Sequence, residues 1–312
     1  MRESMHDWYE RAGVRTQERR LLADDLDAGL VLFPERQIPH LHHEGLRDLE
    51  PAARAGLVAR HLYQYLQFTV HLETEVVNRG VVLVANDAVD LCVPRATRLD
   101  ALRIYCDEGF HALSSLDLVH QVEAATGEAA PAYDFGPRAR RVARTAHRFL
   151  PQQPTLAHLL QVVVFETVVT SILLEVPRDV TVQPTIRAAI ADHARDEARH
   201  HAFFVAFFRE LWTHLPGSLR RAVAPSLPHV VDDCLRPDLA PVRASLRAAG
   251  VPPDVVEEVV RDAYGEERVR ASVRAASRHT VRLFESTGVL DVPGAAEEFA
   301  AVGLLPGVDA GT

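Results

Sequence analysis

The chain has 312 residues, 47% of them hydrophobic, with a formal net charge of -9, so it can bury a full core and shows no basic footprint for nucleic acid. All 34 basic residues are arginines, which excludes Schiff-base lysines and the P-loop lysine, and with them pyridoxal phosphate chemistry and Walker-type ATP hydrolysis. Apolar stretches such as 76–84 and 161–169 are interrupted by Asn, Arg or Glu, well short of the roughly 20 residues of a membrane span.

In chain order, helical periodicity predicts helices over 15–28, 51–78, 95–126, 138–149, 155–174, 184–214, 218–234, 239–249 and 254–286, with Pro and Gly at their ends. Residues 127–137 and 177–184 read as connections, the second extended. Strand-like alternation is nearly absent. The reading is all-α: a single domain over 1–312, with a core at about 51–214, C-terminal helices over 218–286, and a tail over 288–312 whose last part is expected to be poorly ordered. The first residues, Met1 to Asp7, have no apolar segment behind a basic start, and the expectation is a cytoplasmic protein with no membrane or nucleic-acid partner. Cys92, Cys106 and Cys234 are odd in number and widely spaced, and read as reduced packing residues.

Chemistry concentrates in a repeated unit. Glu108 and His111 lie three apart after Asp107, and Glu197 and His200 repeat the spacing after Asp196. Each pair occupies one helix face and can hold one metal ion. Glu75 lies 33 residues before Glu108, and Glu166 lies 31 before Glu197, so a Glu…DExxH unit occurs twice. Glu166 stands in QVVVFETVV, where apolar residues on every side of the helix leave a carboxylate no route to water and demand a cation. Two divalent ions would neutralise four carboxylates, and oxygen with imidazole donors favours iron, or manganese, over structural zinc. Asp107 and Asp196 are suited to accept the free ring N–H of a ligand histidine across the bundle. His193, four before Glu197 and seven before His200, shares their face and is a candidate seventh ligand.

With these residues the sequence resembles the AurF-like diiron N-oxygenases, the family that includes para-aminobenzoate N-oxygenase. The resemblance covers roughly 38–211 and is carried by Thr74-Glu75, Asp107-Glu108…His111, Glu166-Thr167 and His193-Ala194-Arg195-Asp196-Glu197…His200. It implies a ferritin-like bundle around two irons, ligated by Glu75, Glu108, His111, Glu166, His193, Glu197 and His200. It further implies O₂-dependent oxidation of a small-molecule amine to hydroxylamine, nitroso or nitro products. An external electron donor, a place in secondary metabolism and room for a homodimer go with that reading. Glu73 competes with Glu75 for a ligand place; Glu75 is preferred because a Thr-Glu pair before an apolar run fits the family pattern. In the family's para-aminobenzoate enzymes an arginine just before the first ligand can meet a carboxylate. Here Phe68, Thr69, Val70, His71 and Leu72 fill those positions, which predicts a pocket without that cation.

Other readings of the same motifs are a ferritin-like protein that handles iron or peroxide, a diiron carbon hydroxylase, and a structural metal site. A radical-generating subunit would carry a tyrosine four residues after His111, where Ser115 stands. His71 reads as packing, and His40, His42 and His43 as loop composition, since no carboxylate or cysteine at ligand spacing accompanies them. Phe203, Phe204, Phe207 and Phe208 read as core.

Overall fold

A computed structural model describes residues 5–88, 93–173 and 175–305. Three short helices come first, α1 (Trp8–Arg11), α2 (Gly13–Thr16) and α3 (Leu22–Asp25). The long elements are α4 (Pro51–Leu72), α5 (Asn78–Ala85), α6 (Arg95–Thr126), α7 (Gly136–Phe149), α8 (Pro154–Leu173) and α9 (Pro184–His214). They are followed by α10 (Gly217–Leu235), α11 (Leu239–Ala248), α12 (Pro253–Ala263), α13 (Glu266–Ala276), α14 (Arg278–Ser286) and α15 (Ala295–Val302). Among the described residues the one β pairing is a parallel bridge between Val31 and Val182, in the connection read as extended. The fold is an all-α helical bundle.

Local chemistry sets the ends of the core helices. Pro51 and Pro184 open α4 and α9 at positions where the missing N–H removes no helix bond. Gly127, at φ +72°, closes α6 in the left-handed region that L side chains avoid. Between α4 and α5 the segment Glu73–Val77 forms one π-helical turn, so the two run on as a single rod with a local change of register. α6 packs along α4 and α5, α8 packs along α9, and contacts of α5 with α8 and of α6 with α9 close a four-helix arrangement. α10 to α15 lie outside it, with α10 against α7, α8 and α15.

The apolar interior is split into two clusters. On α4 one cluster ends at Leu66 and the other begins at Leu72; on α6 the break falls between Ile104 and Leu118, and on α9 between Ile190 and Phe203. The polar residues of the repeated motif occupy that gap. Burial of hydrocarbon above and below thus fixes a polar layer in the middle of the bundle.

Two expected helices are divided in the structure, the one over 51–78 runs on to Ala85, and 295–302, read as tail, is helical. The expected helix over 15–28 is broken, because residues 17–21 satisfy their polar groups through α6 and α9. Leu22 N donates to Gln121 Oε1 at 2.7 Å, Gln121 Nε2 donates to Arg20 O at 3.0 Å, and Arg19 and Arg20 pair with Asp117 and Asp192. The expected helix over 254–286 is three helices, interrupted at Gly265, whose backbone is extended, and at Ser277. Cys234 is buried, whereas Cys106 is exposed rather than packed; Cys92 lies outside the described residues.

The approach of α5 to α8 depends on Gly80, where a Cβ would come within 2.4 Å of Val162 Cγ2. Gly80→Ala should therefore lower stability by about 1–3 kcal/mol in urea unfolding, despite alanine's better helix propensity. Unchanged or increased stability would show that the two helices do not pack this closely.

Candidate metal centre

Four helices deliver the motif residues to one point. Glu73 comes from the π turn after α4, Glu108 and His111 from α6, Glu166 from α8, and His193, Glu197 and His200 from α9. One ligand atom each from Glu73, Glu108, His111, His193 and Glu197 lie within 4.8 Å of one another, and so do atoms of Glu108, Glu166, Glu197 and His200. Glu108 and Glu197 belong to both groups.

Glu75 is not there. It is exposed and paired with Arg79 one turn later, while Glu73 is buried. The reason is helical phase: Leu62, Leu66, Thr69, Glu73, Val77, Gly80 and Val84 form the buried stripe of the rod, and His71, Glu75, Arg79 and Val82 lie off it. Two features of the sequence point to Glu73. It is followed by Thr74 just as Glu166 is followed by Thr167, and each threonine donates to the carbonyl four residues back, Thr74 to Val70 and Thr167 to Val163, both at 2.7 Å. The near-equal spacings of 33 and 31 residues conceal this, because the π turn and the connections make the two halves unequal in length.

Within the cluster, His111 Nδ1 lies 2.9 Å from Glu108 Oε2, and His200 Nδ1 lies 2.9 Å from Glu108 Oε1 and 3.4 Å from Glu197 Oε1. His193 Nε2 is 3.1 Å from Glu197 Oε1 and 3.6 Å from Glu73 Oε1, and its ring lies against that of His111, centroids 4.0 Å apart. The outer ring nitrogens cross the bundle: His200 Nε2 meets Asp107 Oδ2 at 3.1 Å and His111 Nε2 meets Asp196 Oδ2 at 3.2 Å. Both aspartates are covered by the N-terminal segment. Trp8 Nε1 donates to both oxygens of Asp107 at 2.9 Å, and the Gly13 amide donates to Asp196 at 3.1 Å. A Cβ at Gly13 would stand 2.6 Å from Asp196 Oδ2, so glycine permits this contact. Sequence periodicity cannot find Trp8 or Gly13, since neither lies in a motif or a long helix.

The donor set fits a pair of divalent cations. One oxygen each of Glu73, Glu166 and Glu197 is sealed from solvent without a hydrogen-bond partner, and Glu108 Oε1 and His200 Nδ1 are sealed facing each other. Burial, reinforced by the surrounding carboxylates, pushes Glu73 and Glu166 well above the usual range. Burial also opposes charge on Glu108 and Glu197, yet the facing histidines, His200 foremost, hold both low. Against its burial, hydrogen bonds to Asp196 and Glu108 push His111 up to about 9. Histidine–carboxylate pairs and protons on the raised carboxyls balance the charge of this layer, a balance that two M(II) ions would replace.

Beside the centre, a cavity of about 220 Å³ is lined by Tyr65, Phe68, Phe135, Arg138, His61 and Tyr264, among others. Tyr65 joins it to the metal layer: its hydroxyl is buried and unpartnered, and burial, then Glu197 and Glu73, push the phenol up. The stretch Phe68 to Leu72 carries no cation, but Arg138 of α7 brings one across, its guanidinium 4.4 Å from the Phe68 ring centre. His71 stacks on Phe135 at 5.1 Å. His40 and His43 are more than loop composition, since they tie their segment to α12 and its end through Tyr264 Oη at 2.7 Å and Asp262 at 3.3 Å. A larger cavity of about 450 Å³ lies under residues 17–20, where Arg19 and Arg20 are already paired with Asp117 and Asp192.

No helix among the described residues is long and apolar enough to cross a membrane. Comparison with curated proteins found no match. The family model for p-aminobenzoate N-oxygenase AurF matches residues 18–288, which spans the bundle, the paired carboxylate and histidine groups and most of the outer helices. The chain belongs to the AurF family of p-aminobenzoate N-oxygenases, O₂-dependent diiron enzymes.

Proposed function

We propose that this enzyme oxidises the amine nitrogen of a small molecule with O₂, using two iron ions held by Glu73, Glu108, His111, Glu166, His193, Glu197 and His200. The observation that carries the reading is the sharing of Glu108 and Glu197 between two buried ligand groups, which suits two metals bridged by carboxylates. A glutamate from each of two helices and a Glu-x-x-His pair from each of the other two is the ligand plan of ferritin-like dimetal bundles. A pair of iron ions supplies the redox chemistry that reduction of O₂ requires. For a primary amine, one oxygen atom enters the N–H bond to give a hydroxylamine and the other leaves as water, which takes two electrons and two protons from an external reductant.

The protein's own residues prepare that reaction. Asp107 and Asp196 fix the outer protons of His200 and His111, so each ring presents Nδ1 inward. Val162 to Phe165 and Phe203 and Phe204 close the layer against water, which strengthens every electrostatic interaction inside it. Tyr65 lines the cavity and its phenol feels Glu197 and Glu73, so it is the cavity group tied electrostatically to the carboxylates. A cavity beside the layer favours an organic substrate over simple iron handling, which needs no such pocket. Leu99, Leu102, Tyr105, Leu113 and Leu116 form an exposed stripe on α6, with Gly109 open among them, and this face suits a second copy of the chain.

Anaerobic loading with Fe(II) should give about two irons per chain. Glu73→Ala should lower that content or weaken retention about 10-fold or more, while Glu75→Ala should bind metal as the wild type does. Loss of metal in Glu75→Ala with retention in Glu73→Ala would reverse the ligand assignment. Supplied with ¹⁸O₂, a reductant and a panel of aromatic and aliphatic amines, the loaded enzyme should place label on nitrogen, read by mass spectrometry. Label found only on carbon would rule out N-oxygenation.

A further inference from the structure

We infer that the N-terminal strap, residues 5–22, is part of the metal site, with Trp8 and Gly13 as its positioning residues. They hold Asp107 and Asp196, and through these His200 and His111, so that strap docking and metal retention strengthen each other. This role rests on the dimetal reading above and adds to it a segment outside the four-helix arrangement.

The strap does not hold itself. α1, α2 and α3 are single turns of four residues without side-chain caps, and isolated helices shorter than about 12–15 residues are marginal in water. Its order therefore comes from the bundle. Met5, Trp8, Ala12 and Leu22 are buried against it. The polar attachments land on α6 and α9, the two helices that carry the Glu-x-x-His pairs: Asp107, Asp117 and Gln121 on α6, Asp192 and Asp196 on α9.

These attachments are unequal. Arg19 and Arg20 reach their aspartates with side chains that are 67% and 43% exposed, above a cavity of about 450 Å³ beneath residues 17–20. Solvated ion pairs of this kind contribute little. Asp107 and Asp196 are buried, and hydrogen bonds to buried carboxylates are the strong ones. Trp8 Nε1 donates to both oxygens of Asp107 at 2.9 Å, and the Gly13 amide donates to Asp196 at 3.1 and 3.3 Å. The strap is thus fastened chiefly at the two carboxylates that also meet the ligand histidines.

Each aspartate is thereby shared. Asp107 lies between the Trp8 indole and His200 Nε2, and Asp196 between the Gly13 amide and His111 Nε2. A carboxylate held from its outer side keeps the ring turned with Nδ1 inward, and partners of this kind govern metal affinity. Undocking would admit water to both carboxylates and release that constraint. Conversely, a histidine fixed by a ligand bond keeps its aspartate where the strap meets it, and by linkage the coupling is equal in both directions. Glycine is required at position 13, since a Cβ there would stand 2.6 Å from Asp196 Oδ2 and from Gln17 Nε2. Trp8 and Gly13 both precede 18–288, the span of the family match.

The test pairs two measurements on the full chain. In limited trypsinolysis read by mass spectrometry, wild type loaded anaerobically with Fe(II) should be cut at Arg11, Arg15, Arg19 or Arg20 about 10-fold more slowly than the metal-free protein. That protection should exceed any at Arg247 in α11 and Arg270 in α13, which report on global stability. In chelation by ferrozine, Trp8→Phe, which keeps an aromatic ring and loses the N–H, and Gly13→Ala should each release iron about 10-fold faster than wild type at unchanged helicity. Strap cleavage that is the same with and without bound iron overturns the proposal whether or not the variants fold. So does protection that is equal at Arg247 and Arg270, or release from both variants at the wild-type rate. Iron-dependent protection of the strap without amine N-oxidation would remove the N-oxygenase reading and keep the strap, whereas N-oxidation with an iron-independent strap would do the reverse. A wild type that binds no metal overturns both.

Discussion

Four carboxylates brought together in a dry helical interior repel one another, and the architecture follows from how that repulsion is contained. Glu73, Glu108, Glu166 and Glu197 have almost no contact with solvent, and Glu73, Glu166 and Glu197 each keep an oxygen without a hydrogen-bond partner. An isolated charge in such surroundings neutralises itself by taking a proton or recruits a counter-charge. Both devices are visible, since two carboxyls are driven toward the protonated form and two are held ionised by histidines. The apolar clusters on either side provide the stability that lets the polar layer remain strained. Function therefore sits where the hydrophobic core is interrupted.

Much of this was legible in the sequence. Long amphipathic segments bounded by Pro and Gly give the bundle, and the DExxH spacing puts each Glu and His on one face whatever the tertiary context. The apolar surround of Glu166 announces a buried anion. The preference for Glu75 followed a motif pattern, whereas helical phase, which decides which side of a rod enters the core, turns Glu73 into the layer and Glu75 outward. The π turn then rotates the chain by one residue within the very segment that carries Glu73, which no fixed-period reading anticipates. The broken helix over 15–28 has a different cause: its backbone is satisfied by side chains more than 90 residues away, and such long-range partners leave no local trace.

The missing cation shows the same limit at the level of the pocket. Reading along α4 correctly finds no arginine between Phe68 and Leu72. A cavity, however, is walled by several helices, and α7 supplies from the opposite side what α4 lacks. Residue-by-residue transfer of a family motif tracks positions in a chain, whereas recognition depends on positions in space.

The two halves of the site are also unequal, and the inequality begins outside the ligand groups. Asp107 receives a neutral indole from Trp8 and the His200 ring. Asp196 receives the Gly13 amide and the His111 ring, and Arg199 adds a full positive charge beside it. Burial raises the Asp196 pKa, but His111 and Arg199 bring it below the usual carboxylate range. The His193 ring lies against His111 on this side of the layer. The two groups of candidate ligands are therefore set in unequal surroundings: the one with His111 and His193 lies against an aspartate that carries a guanidinium, and the one with His200 against an aspartate held by an indole.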